Sequence, residues 1–166
     1  MVADVAVRTV VNGRAVECSV PPRLTLVELL RERLGLTGAK PSCGMQVCGA
    51  CTVLVDGQPV SSCTYLACDV DEREVVTVEG LADGAQLHPV QQAFADCSAL
   101  QCGYCTPGFV MTTKALLEEN PDPTEADVVH GLEGNICRCT GYKPVVAAVK
   151  EAAARLRQET PGAGDG

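Results

Sequence analysis

Eight of the eleven cysteines in this 166-residue chain fall into two sets of four. Cys43, Cys48, Cys51 and Cys63 read C-x4-C-x2-C with a fourth cysteine further on. Cys102, Cys105, Cys137 and Cys139 read C-x2-C followed far downstream by C-x-C. Thiolates are soft ligands, and four of them brought together hold an iron–sulfur cluster or a zinc ion. The first spacing is that of plant-type [2Fe–2S] sites, whereas structural zinc favours paired C-x2-C hooks. The second spacing stays open between a cluster, zinc and a redox C-x-x-C, although no β-α-β pattern surrounds it. Two redox centres in so short a chain describe a carrier of electrons rather than a site that transforms a substrate.

The totals narrow the field further. A net charge of −8 opposes nucleic-acid binding, which asks for basic patches, and suits docking to a protein partner. No apolar run reaches the length of a membrane span, and MVADVAVRTVVNG lacks the basic-then-apolar pattern of a secretory signal. The cysteines are therefore expected in a reducing cytoplasm, where metal ligation prevails over disulfides, and their odd number also fits a disulfide framework poorly. Aromatics make up 3% and Trp is absent, so the cores must be built from Val, Leu and Ala. Small domains bury little apolar surface, and bound metal is expected to contribute to folding.

The elements that must position the first set read as strands around one helix. Residues 5 to 20 predict a hairpin, with Val5, Val7 and Val11 on one side and Asn12-Gly13 in the turn. Thr25 and Glu28 form a capping box ahead of Leu26, Leu29, Leu30 and Leu34 at helical spacing, and Gly35 ends that helix. Residues 36 to 51 are a loop around three cysteines, where Gly44 and Gly49 permit sharp turns and offer N–H groups to sulfur. Cys51 to Val55 and Pro59 to Ser62 predict strands joined by Asp56-Gly57, and Val75, Val76 and Val78 a last strand. Asp83-Gly84 is the expected boundary.

The second half predicts helices over Pro89 to Ala95, Pro107 to Glu119, Glu125 to Gly131 and Pro144 to Leu156. Three begin with Pro in the first turn and the other follows Thr124 as N-cap. The fold class is thus α+β: a β-grasp, ferredoxin-like domain over residues 1–82, a four-helix-bundle domain over 83–157, and a disordered tail over 158–166. Cys105-Thr106 ahead of one helix and Cys139-Thr140-Gly141 ahead of another form a weak repeat. It predicts both cysteine pairs at helix N-termini, where free N–H groups and the dipole favour an anionic cluster.

Cys18, Cys68 and Cys97 are expected to be buried as small apolar side chains, with Cys68 near enough in sequence to compete with Cys63 as fourth ligand. His88 is expected to cap a helix or make a surface contact, and His130 sits near a helix C-terminus. No nucleophile–base pair and no phosphate-binding glycine loop stands out in the sequence.

The residues around the second set carry a resemblance. QCGYCTPGF (Gln101 to Phe109) and GNICRCTGY (Gly134 to Tyr142) resemble the iron–sulfur component of the molybdenum hydroxylases, the xanthine dehydrogenase and aerobic carbon monoxide dehydrogenase family. GLTGAK before Cys43, CGACTVLVDG from Cys48 to Gly57 and HPVQQAF from His88 to Phe94 are similar to it as well, so the likeness spans roughly residues 3 to 157.

The resemblance implies two [2Fe–2S] clusters, the outer on Cys43, Cys48, Cys51 and Cys63 and the inner on Cys102, Cys105, Cys137 and Cys139. It favours Cys63 over Cys68. It implies that Gln101 and Cys139 lie against a molybdopterin, as the cytosine dinucleotide, on a large subunit, and that electrons leave molybdenum through the inner and then the outer cluster to FAD on a medium subunit. Other members fuse the three parts; a chain ending its likeness near residue 157 implies separate partners, in a dimer of heterotrimers. The substrate type would be carbon monoxide, or xanthine, another N-heterocycle or an aldehyde, with no substrate site on this chain. The alternatives are a free-standing two-cluster carrier, a hydroxylase subunit feeding a cytochrome instead of FAD, and a zinc-stabilised interaction module. The family often has glycine where Ser42 and Gln46 stand here, which is expected to alter hydrogen bonding to the outer cluster but not its binding.

Overall fold

The computed structural model describes residues 3–159. Strands β1 (Val5–Val11) and β2 (Arg14–Val20) pair antiparallel from Val5 opposite Val20 to Val11 opposite Arg14. Asn12 and Gly13 close the hairpin with φ of 50° and 74°, the two positive angles a tight two-residue turn requires. β3 (Thr52–Val55) and β4 (Gln58–Ser61) form a second hairpin about Asp56 and Gly57. β5 (Glu74–Val76) then lies between the hairpins, parallel to β1 and antiparallel to β3, giving the order β2-β1-β5-β3-β4. Cys51 therefore precedes its strand, and Val78 belongs to a 3-10 turn (Val78–Gly80) rather than to the last strand.

The Thr25–Glu28 capping box forms as expected, but it opens only a short α-helix, α1 (Leu26–Glu28), which widens into a π-helical turn (Leu29–Arg33). The Leu34 amide bonds the Leu29 carbonyl, five residues back. Leu26, Leu29 and Leu30 are buried against Val7, Val11, Val20, Val53 and Val75 on one face of the sheet. β3 is buried on both faces, because a helix of the second half packs across its other side.

That second half holds α2 (Pro89–Asp96), α3 (Thr106–Glu119), α4 (Glu125–Gly131) and α5 (Lys143–Glu159). Each helix expected from sequence is present, with most ends moved by at most one residue and the C-terminal end of α5 by three. Gln158 and Glu159 are helical rather than part of a disordered tail, and the rest of the expected tail lies outside the described residues. α5 buries Val145, Ala148, Val149, Ala152 and Ala153, a stripe at i, i+3, i+4, i+7 and i+8. Its alanines let α2 approach closely with Val90, Ala93 and Phe94. Arg155 adds ion pairs to Asp96 and Glu151, both at 2.8 Å. Full burial of one Val, Leu or Phe side chain contributes about 1.5–3 kcal/mol, whereas solvent screens ion pairs as exposed as these and leaves them weak. The apolar stripes, not the ion pairs, hold the helices together. Among the described residues no helix is long and apolar enough to cross a membrane.

His88 is the N-cap of α2. Its Nδ1 accepts from the Val90 amide at 3.2 Å while Gln91 Oε1 accepts from the His88 amide at 3.0 Å. Burial lowers the imidazole's pKa from its usual 6.5, Lys114 lowers it further, and Glu159 and Glu118 oppose this. Only the neutral ring can accept the Val90 N–H, so protonation favours the unfolded chain. The contribution is complete above 6.5 and is lost as pH falls from there through the lower folded value. His88→Ala is expected to cost about 1 kcal/mol at neutral pH. Denaturation midpoints of the two proteins should converge as pH drops below 6.5; a gap that stays constant with pH would count against this role.

Candidate metal centres

The loop from Cys43 to Cys51 is shaped by three left-handed residues, Gly44, Gln46 and Gly49, with φ of 66°, 60° and 68°. These reversals wrap the chain around Cys43. The amides of Met45 and Val47 point at its Sγ from 3.5 and 3.4 Å. Together with the neighbouring Cys48 they hold the thiol down at about 6. The glycines thus supply the turns, while these N–H donors to sulfur belong to Met45 and Val47. Gln46 takes a left-handed angle that a glycine adopts without strain, and its Oε1 accepts from Thr64 Oγ1 at 3.2 Å, tying the loop to the residue after Cys63.

Cys51 is buried at the foot of β3 and stands against Cys63 in the loop after β4. Burial pushes its thiol up to about 11, partly offset by the Cys63 amide. The Ser62 hydroxyl donates to the Cys51 carbonyl at 2.6 Å and fixes the two segments together. The structure therefore gathers this set as two pairs, Cys43 with Cys48 and Cys51 with Cys63. Cys68 instead lies 3.8 Å from the Pro22 carbonyl oxygen, packed against the sheet core. Cys18 and Cys97 are half-buried, as Cys68 is, so burial of the three is partial.

The second set also meets as two pairs. Cys102 and Cys139 approach to 3.7 Å between sulfurs, and Cys105 faces Cys137. Cys105 caps α3 and Cys139 stands just ahead of α5, so both pairs lie at helix N-termini, in line with the sequence repeat. Burial and the facing Cys137 push the Cys105 thiol up to about 12. Burial also works to raise Cys137, but the Thr140 hydroxyl at 3.1 Å and amide at 3.4 Å outweigh it and leave that thiol at about 7. The Cys139 thiol is raised by its Cys102 neighbour. The Cys137 amide donates to Tyr142 Oη at 3.0 Å, and the Tyr142 ring meets Phe109 edge-on at 6.2 Å.

This arrangement fits a two-iron cluster. A tetrahedral metal with sulfur bonds of about 2.3 Å spaces its sulfurs about 3.7 Å apart, and Cys102 and Cys139 show that spacing. A [2Fe–2S] unit needs two such pairs, one per iron, rather than four sulfurs around one ion. Among the described residues no three His, Cys, Asp or Glu side chains converge on a single-ion site. Thr106 Oγ1, next to Cys105, is buried without a hydrogen-bond partner. A buried hydroxyl in that state costs about 1–3 kcal/mol, so an acceptor-rich group beside it suits the site.

The two centres are joined directly. The Ile136 amide, one residue before Cys137, donates to the Cys48 carbonyl at 3.0 Å. Asn135 Nδ2 donates to the Gly49 carbonyl at 3.2 Å, and Tyr104 Oη to the Pro41 carbonyl at 2.7 Å. A Cβ at Gly108 would run into the Gly49 carbonyl oxygen, so glycine is what lets α3 approach the first loop. Sequence reasoning gave Thr140 only a place in the repeat ahead of α5 and assigned no part to Asn135, Tyr104, Gly108 or Tyr142, whose only signal was membership of the motifs around the second set. Gln101 is exposed beside the exposed Cys102 and Cys139. His130 is exposed and pairs with Glu133 at 3.4 Å, and Arg138 points to solvent.

Residues 9–82 match the family described as a 2Fe-2S iron-sulfur cluster binding domain, and residues 77–150 the [2Fe-2S] binding domain. The chain is 46% identical to the nicotinate dehydrogenase small FeS subunit of Eubacterium barkeri, covering 87% of this chain and 92% of that protein. It is 51% identical to the nicotine 6-hydroxylase small subunit of Paenarthrobacter nicotinovorans, covering 88% of each. Its fold superposes on a chain of quinoline 2-oxidoreductase from Pseudomonas putida 86 with a TM-score of 0.90 at 40% identity, covering 95% of this chain and 98% of that one. Agreement of this extent, over both thiol sets and both halves of the fold, makes the chain a member of the small iron–sulfur subunit family of the molybdenum hydroxylases, the electron-transfer subunits of those oxidoreductases.

Proposed function

We propose that Cys43, Cys48, Cys51 and Cys63 hold an outer [2Fe–2S] cluster and Cys102, Cys105, Cys137 and Cys139 an inner one. In this reading the chain carries electrons from a molybdenum-binding large subunit to an FAD-binding subunit. The observation that carries it is the hydrogen bond from the Ile136 amide to the Cys48 carbonyl. It leaves a path of covalent bonds and one hydrogen bond between a ligand of each set, with no gap through space. When bound, each cluster accepts and releases one electron. The protein's part is to hold the thiolates and to set the field around them. Met45 and Val47 donate to Cys43, and Thr140 donates twice to Cys137. Donors aimed at sulfur stabilise the more negative, reduced form and raise the potential.

Two separate cores support division into a β-grasp domain over residues 1–82 and a four-helix-bundle domain over 83–157. The exposed Gln101, Cys102 and Cys139 leave the inner set open on one side, which suits contact of Gln101 and Cys139 with a molybdopterin, as its cytosine dinucleotide. The exposed Met45 and Val47 of the first loop suit docking of the FAD subunit. We take the assembly as a cytoplasmic dimer of heterotrimers. Its substrate would be an N-heterocycle, following relatives named for nicotinate, nicotine and quinoline.

The test is the metal and flavin content of the complex that co-purifies with this chain. Molybdenum and FAD with about four iron atoms per copy support the reading. Iron alone would point to a free-standing carrier, molybdenum without flavin to delivery into a cytochrome, and zinc in place of iron would overturn it.

Two substitutions sharpen the assignment. Cys63→Ser is expected to remove one of two cluster signals in electron paramagnetic resonance spectra, and Cys68→Ser to leave both; the reverse would make Cys68 the ligand. Gln101→Ala is expected to slow electron flow from the molybdenum subunit or loosen the pterin while both clusters stay intact. Turnover equal to wild type would remove Gln101 from the pterin contact.

A further inference from the structure

The first thiol loop is tied to the loops of the second set at two points besides the Ile136–Cys48 hydrogen bond. Asn135, two residues before Cys137, donates its side-chain amide to the carbonyl of Gly49, between Cys48 and Cys51, at 3.2 Å. Tyr104, between Cys102 and Cys105, donates its hydroxyl to the carbonyl of Pro41, two residues before Cys43, at 2.7 Å. Each tie begins within two residues of a ligand of one set and ends within two residues of a ligand of the other. Both run from a side chain of the helical half to a backbone carbonyl of the sheet half.

Asn135 is 4% exposed, so its amide is committed to this contact rather than shared with water. The Gly49 carbonyl that receives it also accepts from the Thr52 amide at 3.1 Å and hydroxyl at 2.8 Å, which pins it to the start of β3. Gly49 and Gly108 make the approach possible. A Cβ on Gly49 would run into the Gly134 carbonyl and the Asn135 side chain, and one on Gly108 into the Gly49 carbonyl. The contact is therefore a built joint, with small residues where the backbones meet and polar side chains closing it on either side.

We propose that Asn135 and Tyr104 form a two-point latch that fixes the length of the Ile136–Cys48 bridge and so sets the rate of electron transfer between the two clusters. This rests on the assignment of a cluster to each set. Tunnelling through a hydrogen bond falls steeply as the bond lengthens. A joint free to open by rotation of one loop would make that rate vary from molecule to molecule. Neither residue is a ligand, so both act as positioning residues through the Cys48 carbonyl and the Ile136 amide.

The test uses the full chain in its native complex, as wild type, Asn135→Leu, Tyr104→Phe and the double variant of the two. Asn135→Leu keeps the branched shape of the side chain, at some cost in added volume, and removes the donor. Tyr104→Phe removes one exposed hydroxyl from a residue that is 45% exposed, and so spares folding. Spin–spin splitting between the clusters is read by electron paramagnetic resonance after full reduction with dithionite, and intercluster transfer by flash photoreduction. Both variants are expected to keep two clusters with unchanged individual g-values, while the splitting shrinks and transfer slows several-fold, more in the double variant. Two clusters with unchanged splitting and rate would overturn the latch. So would loss of a cluster from Tyr104→Phe, since the tyrosine would then hold a cluster in place rather than set a distance. Failure of the wild type to show two clusters would instead sink the assignment of the thiol sets.

Discussion

A single backbone hydrogen bond, from the Ile136 amide to the Cys48 carbonyl, defines what the rest of this structure has to accomplish. It joins two loops far apart in sequence, each carrying thiols, and it forms only if two independently packed halves meet at one place. The sheet half fixes Cys48 and Gly49 through β3. The helical half fixes Ile136 through the turn after α4 and the start of α5. The packing of α3 across β3 brings the halves together, and Gly108 on that helix removes the side chain that would keep them apart.

Each thiol set holds an electrostatic conflict that a bound metal would resolve. Burial raises Cys51 and Cys105, whereas amide and hydroxyl donors lower Cys43 and Cys137. A protein built only for stability has no reason to bury thiols together and aim N–H groups at their sulfurs, because desolvating like groups side by side favours none of them. Thiolates shared with iron lose that penalty, since the metal's own charge dominates its surroundings. Placing both second-set pairs at helix N-termini works in the same direction, with the dipoles of α3 and α5 favouring the net negative charge of a four-thiolate cluster.

Much of this was legible from local pattern. The Asn12-Gly13 and Asp56-Gly57 turns, the Thr25–Glu28 capping box, the His88 and Thr124 caps and the four later helices all arise from residues within four positions of one another. Where the reading erred, a longer-range contact decided. Val78 has strand propensity, but the Thr77 amide bonds the Asn12 side chain and Glu79 reaches back to the Gly38 amide, so the chain turns there instead of extending. The leucine helix was expected to run to Gly35. It widens after one turn, with Leu26, Leu29 and Leu30 all buried under the sheet.

By itself the sequence determined the chemistry: two four-thiol sets, their spacing, and the turn and cap residues that make each loop and helix possible. Those are properties of neighbouring residues, and local sterics and hydrogen bonding are enough to set them. Only the tertiary structure decided which thiols pair, Cys43 with Cys48, Cys51 with Cys63, Cys102 with Cys139 and Cys105 with Cys137. It alone brought Asn135 to Gly49 and Tyr104 to Pro41. Such contacts span 63 and 86 residues of chain. They depend on how two cores dock, and no spacing within either loop encodes that.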